Sequence, residues 1–442
     1  MSPTIQSSLD PRAACQRLRA SQPISLLLDG GDSGDGWTAG PLLAVQPRLV
    51  AEVPASGTPG QVRAALDRVA RRWRERQNGG GGRGTGMALL LAYEALDAGE
   101  APGCDLMATP RLVALDVDES LRWLSPERIE WARIGERAVA GRAAEALLGS
   151  ANACRDVDAA QAEGPPRASL PRPRYFEAIG RLERHIRDGD LYQANLCRVL
   201  YGSYQGDELG AYERLVQETP APRSAFLATP EFVLASASPE VFLVIRPPDR
   251  IETWPIKGTR PRGASPEADR AAREELLASE KDRAELLMIV DLERNDLGRV
   301  CRTGTIEAPA HPELRSFPAV HHLVTGVRGR LRDDVSLGDI VAATFPGGSI
   351  SGAPKERARS LLLGLEPVRR GFFTGSLFWL ADDGSLDSSI LIRTLVFRRG
   401  LFHLGAGGGI VADSVADLEW REANHKARAP ARVLGFAPED AG

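Results

Sequence analysis

Ile251-Glu-Thr-Trp-Pro-Ile-Lys257-Gly-Thr-Arg-Pro-Arg-Gly263 is a short run of β-type residues that closes on a lysine, a glycine and a threonine. Ile251, Thr253, Trp254 and Ile256 suit a pleated, half-buried strand, and Gly258 is the expected break. Lys257 thus stands at a strand end, beside a backbone N–H that no side chain covers and a hydroxyl. Those donors suit a carboxylate-bearing substrate. The same residues also fit a surface lysine that lays its methylenes along a sheet. The stretch alone leaves both readings open.

The whole chain narrows the choice. Its 442 residues suffice for one large core or two medium ones. An apolar fraction of 43% and a charged fraction of 26% are those of an ordinary soluble globular protein. A net charge of −4 gives no footprint for nucleic acid or for an acidic membrane surface. The 5 cysteines (Cys15, Cys104, Cys154, Cys197, Cys301) are odd in number, scattered and never in a CxxC pair. That pattern argues against a disulfide framework or a thiolate metal site and fits a reducing cytoplasm. Asp10, Arg12, Arg17 and Arg19 fall where a signal peptide would need an apolar core. No run approaches the ~18 apolar residues of a membrane span.

Residues 1–163 read as mixed strand and helix. Ile24–Leu28 is a strand that runs into a turn bearing Asp29, Asp32 and Asp35, whose spacing is not that of a calcium loop. Gln61–Arg76 has the apolar spacing of a helix and leads into a Gly-rich loop at Asn78–Gly84 that lacks the GK[ST] of a phosphate cradle. Met87–Leu96 is expected to be buried, and Ala140–Leu148 helical. The prolines of Gly164–Arg174 mark a linker.

Beyond the linker the signals are denser. Tyr175–Asp188 is an amphipathic helix stopped by Gly189, followed by a strand on which Tyr192 and Gln193 take opposite faces. Phe232–Ile245 holds two strands joined at Ser238-Pro-Glu240, where the carboxylate is either a turn residue or a buried acid with a raised pKa. Ser279 and Asp282 form a cap for a helix that carries Glu285, an acid expected at its solvated edge unless a cation lies opposite. Ser414 and Asp417 are expected to cap a second such helix. There Glu419, Glu422 and Lys426 fall on one stripe, as a site or as a solvated charged face. Leu404–Ile410 is faintly like GxGxxG but lacks the third glycine and the N-terminal βαβ setting of a dinucleotide site, yet its N–H groups suit an anion.

Taken together these stretches resemble the chorismate-utilising enzymes over roughly residues 172–436. The resemblance is carried in order by GDLYQANL, SASPEVFL, PIKGTRPRG, SEKDRAELLMIVDLERNDLGRV, FPAVHHLVTGVRG, TFPGGSISGAPKERA, RGFFTGSLF, SSILIRTLVF and GAGGGIVADSVADLEWREANHKARA. It implies an α/β (α+β) fold of the anthranilate synthase component I type, with two antiparallel-rich sheets packed face to face and helices outside. Residues 1–163 would form the N-terminal region of one body, 164–174 the linker and 175–436 the catalytic domain. Isochorismate and salicylate synthases carry a lysine base where this chain has Gln193, and anthranilate synthases read PIAGT where it has PIKGT. Lys257 therefore resembles the mark of the branch that makes 4-amino-4-deoxychorismate for para-aminobenzoate and folate.

By the same resemblance Lys257 is the nucleophile at C2 and Glu240 the acid that protonates the departing 4-hydroxyl. Glu285 and Glu422 are magnesium ligands, with Glu419 in their cluster. Gly258, Thr259, His322, Arg393, Gly407, Gly408, Gly409, Lys426 and Gln193 are the substrate contacts. Phe373 replaces a substrate-binding tyrosine of anthranilate synthases, and Leu26-Leu-Leu-Asp29 replaces the LLES-type motif of tryptophan-inhibited relatives, so neither feature carries over. No cysteine stands in a glutaminase context, and the resemblance implies a separate glutamine amidotransferase subunit as ammonia source. Two other readings stay open: amination at the 2-position, giving anthranilate or aminodeoxyisochorismate, and an inactive regulatory binding subunit. The product formed separates the first. Binding of chorismate with Mg²⁺ separates the second.

Overall fold

The computed structural model describes residues 4–6, 10–19, 22–29, 41–79, 85–97, 105–125, 128–133, 158–309, 311–316 and 320–441. The turn beyond Asp29, the glycines at 80–84 and the helix expected at Ala140–Leu148 lie outside those residues.

The apolar runs are strands buried on both faces. Along Ser25–Asp29, Leu26 and Leu28 enter one core and Leu27 another. Along Gly86–Leu91, Ala88 and Leu90 go one way and Met87, Leu89 and Leu91 the other. A period of two with apolar residues on both sides demands a layer above and a layer below. The chain supplies them with a 13-stranded and an 8-stranded sheet. Between the sheets Leu26, Leu227 and Leu234 of one meet Leu90, Leu115, Leu377 and Trp379 of the other.

Helices cover the outer faces. Pro59–Asn78 lays Val62, Leu66, Val69 and Trp73 on the smaller sheet, as does Glu280–Gly298 with Leu286, Val290 and Leu297. The first is fixed at its start by a reciprocal cap. Gln61 N donates to Thr58 Oγ1 at 3.3 Å and Thr58 N donates to Gln61 Oε1 at 2.7 Å. On the second, Asp282 N donates to Ser279 Oγ, as the sequence predicts. Glu208–Glu218 and the end of Ala416–Val433 cover the larger sheet through Tyr212, Leu215, Ala427 and Ala431.

The two halves of the sequence interleave. Gly86–Leu91 lies between Ser376–Ala381 and Leu112–Val117, and Ser25–Asp29 pairs with Arg223–Ala228. The proline-rich stretch at Gly164–Arg174 is itself part of the body: Arg167–Ala168 pairs with Tyr201 and Leu200, and the next helix begins at Arg172.

Two local expectations are corrected. The opening stretch breaks at Trp254-Pro255, because its two parts belong to different sheets. Arg250–Thr253 is in the 8-stranded sheet, whereas Ile256–Pro261 joins Val320–Val324 and Glu313–Ser316 in a separate 3-stranded one. Ser414 does not cap the helix Ala416–Val433, whose N-cap position is Val415 with no side-chain bond. Its hydroxyl donates instead to Glu419 Oε1 at 2.8 Å.

Candidate active site

Lys257 lies on the middle strand's partner in the small sheet, opposite Leu323, and Thr259 lies opposite His322. The register slips between them at Gly258, whose φ is +75°. A β-carbon there would meet Asp282 Cβ at 3.0 Å, so the bulge and the helix Glu280–Gly298 fit only around a glycine. The bulge ties the His322 ring to the Gly258 backbone and to Thr259 Oγ1, the latter at 2.9 Å. Burial, partly offset by the Gly258 bond, brings His322 down to about 4. The ring is thus neutral at pH 7.

Burial also lowers Lys257 below the ordinary lysine range, against the pull of Glu285 and Glu240 and with help from Lys426. That direction favours the neutral amine, which is the nucleophilic form. Glu240 has the opposite shift. It is 9% exposed at the turn between Val233–Ser238 and Val241–Arg246, and burial raises it. Ser349 Oγ donates to its Oε1 at 2.6 Å, and the positive charges of Lys257, Lys426 and Arg393 temper the rise. Arg393 holds a φ of +50° that side chains rarely adopt, in the turn where its carbonyl accepts from Ala237 N. The turn reading of Glu240 and the buried-acid reading are both realised in one residue.

The strand Leu401–Ile410 pairs with Gln193–Gln205 and brings Gly407, Gly408 and Gly409 beside Cys197, Leu196 and Asn195. A β-carbon on Gly408 would stand 3.4 Å from Glu419 Oε2 and 3.5 Å from Glu422 Oε1, so both carboxylates look onto bare backbone. Lys426 Nζ donates to Gly407 O at 3.0 Å and pairs with Glu422 Oε1 at 2.7 Å. Burial pulls Glu422 up, but Lys426 leaves it below the usual glutamate value. Glu419 and Glu285 are raised by burial, and Glu285 also feels the charge of Glu422. Among the described residues no three acids, histidines or cysteines form a ready-made metal cluster. Glu285 and Glu422, with Glu419 alongside, fit an ion that takes few protein oxygens and fills its shell with water and ligand, as Mg²⁺ does.

Gln193 is fully buried next to Gly409, where a β-carbon would approach its Nε2 to 2.5 Å, and neither amide atom has a partner among the described residues. Phe373 packs its ring on Gly405 and offers no hydroxyl. Lys257, Glu240, Glu285, Glu422, Lys426 and Arg393 thus act on one another electrostatically in one place. One residue of the site escaped the sequence reading: Ser349, which holds Glu240. The only local sign of Ser349 is the Gly347-Gly348 pair before it.

Over residues 55–432 the chain matches the family described as chorismate binding enzymes. The chain belongs to this family. Among chorismate-binding relatives, aminodeoxychorismate synthase component 1 of Klebsiella aerogenes is 46% identical over 256 residues, 58% of this chain and 56% of that protein. Anthranilate synthase component 1 1 of Haloarcula marismortui is 45% identical over 58% of this chain and 53% of its own length. These matches span little more than half of each relative. Anthranilate synthase component I from Streptococcus pneumoniae TIGR4 superposes with a TM-score of 0.73 at 25% identity, covering 88% of this chain and 92% of that one. The fold is therefore that of anthranilate synthase component I. No helix among the described residues is long and apolar enough to cross a membrane.

Proposed function

We propose that this chorismate-binding enzyme makes 4-amino-4-deoxychorismate from chorismate and ammonia. The observation that carries the reading is the pairing of Lys257, lowered by burial, with Glu240, raised by burial, across one site. Neutral Lys257 adds to C2 of the ring while the double bonds shift and the C4–O bond breaks. Glu240 gives its proton to that oxygen, which departs as water. Ammonia then adds at C4, the double bonds shift back and the C2–N bond to Lys257 breaks. Ammonium, the source of the ammonia, returns one proton to Glu240, so the cycle balances.

Keeping Lys257 neutral falls to burial, which disfavours its charged form. We assign Arg393, Lys426, Thr259 and the backbone of Gly258, Gly407, Gly408 and Gly409 to the substrate's carboxylates and oxygens, with His322 and Gln193 as neutral polar walls. Glu285 and Glu422, with Glu419, would hold Mg²⁺. Bound there, the ion would neutralise a substrate carboxylate and further disfavour a charged Lys257. The chain is read as a cytoplasmic subunit served by a glutamine amidotransferase. The three described cysteines are free and buried, which fits a reducing compartment.

Purified chain incubated with chorismate, Mg²⁺ and ammonium at alkaline pH, followed by a lyase that releases para-aminobenzoate, tests the product. Fluorescent anthranilate without para-aminobenzoate would reject the proposal. Amination at the 2-position is the second reading, favoured by the likeness to the Haloarcula marismortui protein.

A further inference from the structure

The strand Gln193–Gln205 has a gap along the edge that faces away from Leu401–Ile410. Ala353 and Gly352 pair with its start at Gln193 and Ala194, whereas Ser169, Ala168 and Arg167 serve it at Val199, Leu200 and Tyr201. Between these an ion pair takes the place of a neighbouring strand. Asn195 O accepts from Arg370 Nη2 at 2.6 Å, and Cys197 N donates to Glu366 Oε1 at 2.9 Å. Backbone groups buried at an edge need such partners.

The same guanidinium reaches the turn that carries Ser349. Arg370 is 1% exposed, and each of its side-chain nitrogens donates. Nε and Nη2 donate to Glu366 Oε2 and Oε1 at 2.8 and 2.7 Å, and Nη1 donates to Ile350 O at 2.8 Å. Ile350 lies in the single turn Gly348–Ser351, whose last carbonyls find no partner within so short a helix. Asn195 Nδ2 donates to the same Ile350 O at 3.2 Å. The residue before Ile350 is Ser349, whose hydroxyl donates to Glu240 Oε1 at 2.6 Å. Glu94 holds the clamp from behind, accepting from Arg370 N at 2.7 Å and from Gly371 N at 3.2 Å. The N-terminal region thus reaches the site through one carboxylate.

We propose that Arg370, held by Glu366, is a positioning residue for the acid step: by fixing the Ile350 carbonyl against Asn195, it sets Ser349 where its hydroxyl meets Glu240. The inference rests on the proposed role of Glu240. A planar guanidinium serves Glu366, Asn195 and Ile350 at once, which an ammonium on a flexible stem does not. Its effect on the reaction passes through Ser349, so it disappears when Ser349 has no hydroxyl to place.

The test is a double-mutant cycle on kcat, measured with ammonium at saturating chorismate and Mg²⁺ on whichever aminated product forms. Arg370→Lys keeps the charge and loses the fork. It should lower kcat about 10-fold or more in the otherwise unaltered enzyme, but less than about 3-fold when Ser349→Ala is already present. The same factor in both backgrounds overturns the proposal, because a merely structural loss does not depend on Ser349. If Arg370→Lys fails to fold, Glu366→Gln, which keeps the shape and weakens the hold on Arg370, is judged by the same criterion. Ser349→Ala with kcat unchanged removes the bond to Glu240 from the acid step and the inference with it. A slowed Ser349→Ala with equal factors removes the inference alone.

Discussion

At the scale of single residues, the proposed chemistry depends on opposite pKa shifts of Lys257 and Glu240. Lys257→Ala should lower formation of the 4-amino product by about 10³-fold or more, since it removes the amine proposed to form the covalent bond. Quantifying the product by chromatography, with anthranilate measured in the same run, checks this; an unaltered 4-amino product would remove Lys257 from the mechanism. Ser349→Ala deletes the donor at 2.6 Å from Glu240 Oε1. That bond strengthens as Glu240 becomes a carboxylate, so its loss should cost about 1.5–3 kcal/mol in kcat, roughly 10- to 100-fold, with little change in KM. Steady-state kinetics at a fixed pH decides it. Lys257 could be singled out from sequence only together with the family motifs around it, because a lysine followed by Gly-Thr also fits a surface strand. Ser349 could not, because a serine after two glycines has many uses and its partner is 109 residues away.

At the scale of elements, the glycine-rich strand Leu401–Ile410 shows why similar residues carry different duties. A β-carbon on Gly407 would fall 2.2 Å from the carbonyl oxygen of Leu196 on the paired strand, which neither chain can move aside. One on Gly408 would meet only the ends of Glu419 and Glu422 at 3.4 and 3.5 Å. Gly407→Ala should therefore cost more than about 2 kcal/mol of stability, seen as a lower midpoint in urea. Gly408→Ala should leave that midpoint nearly unchanged while weakening Mg²⁺ binding measured by calorimetry. The sequence marked this strand as special without saying which glycine faced which neighbour, because that depends on a register set by Gln193–Gln205. The tail helix gave a similar lesson. Its stripe of Glu419, Glu422 and Lys426 was legible from spacing, whereas Ser414 was mistaken for a cap. Its hydroxyl instead donates to a buried carboxylate within reach.

At the scale of the whole molecule, the sheets tie the N-terminal region to the site. Removing residues 1–163 would expose both edges left by Gly86–Leu91 and the apolar faces it covers, including Trp379 at 1% exposure. Residues 164–442 expressed alone are expected to be insoluble or molten, and a cooperative thermal transition in that fragment would contradict the account. The intact chain by itself should use ammonium and not glutamine. Glutamine-dependent turnover should appear only on adding an amidotransferase, and turnover of glutamine by the pure chain would refute the two-subunit reading.

By itself the sequence determined the apolar strand at Ile24–Leu28, the helix read at Gln61–Arg76 and the kinds of group available for chemistry. Each of these follows from neighbours a few residues apart. Tertiary structure alone decided that the opening stretch divides between two sheets and that Ser349 holds Glu240. The reason is physical: a pKa depends on burial and on charges brought from distant segments, and no local pattern of residues records either.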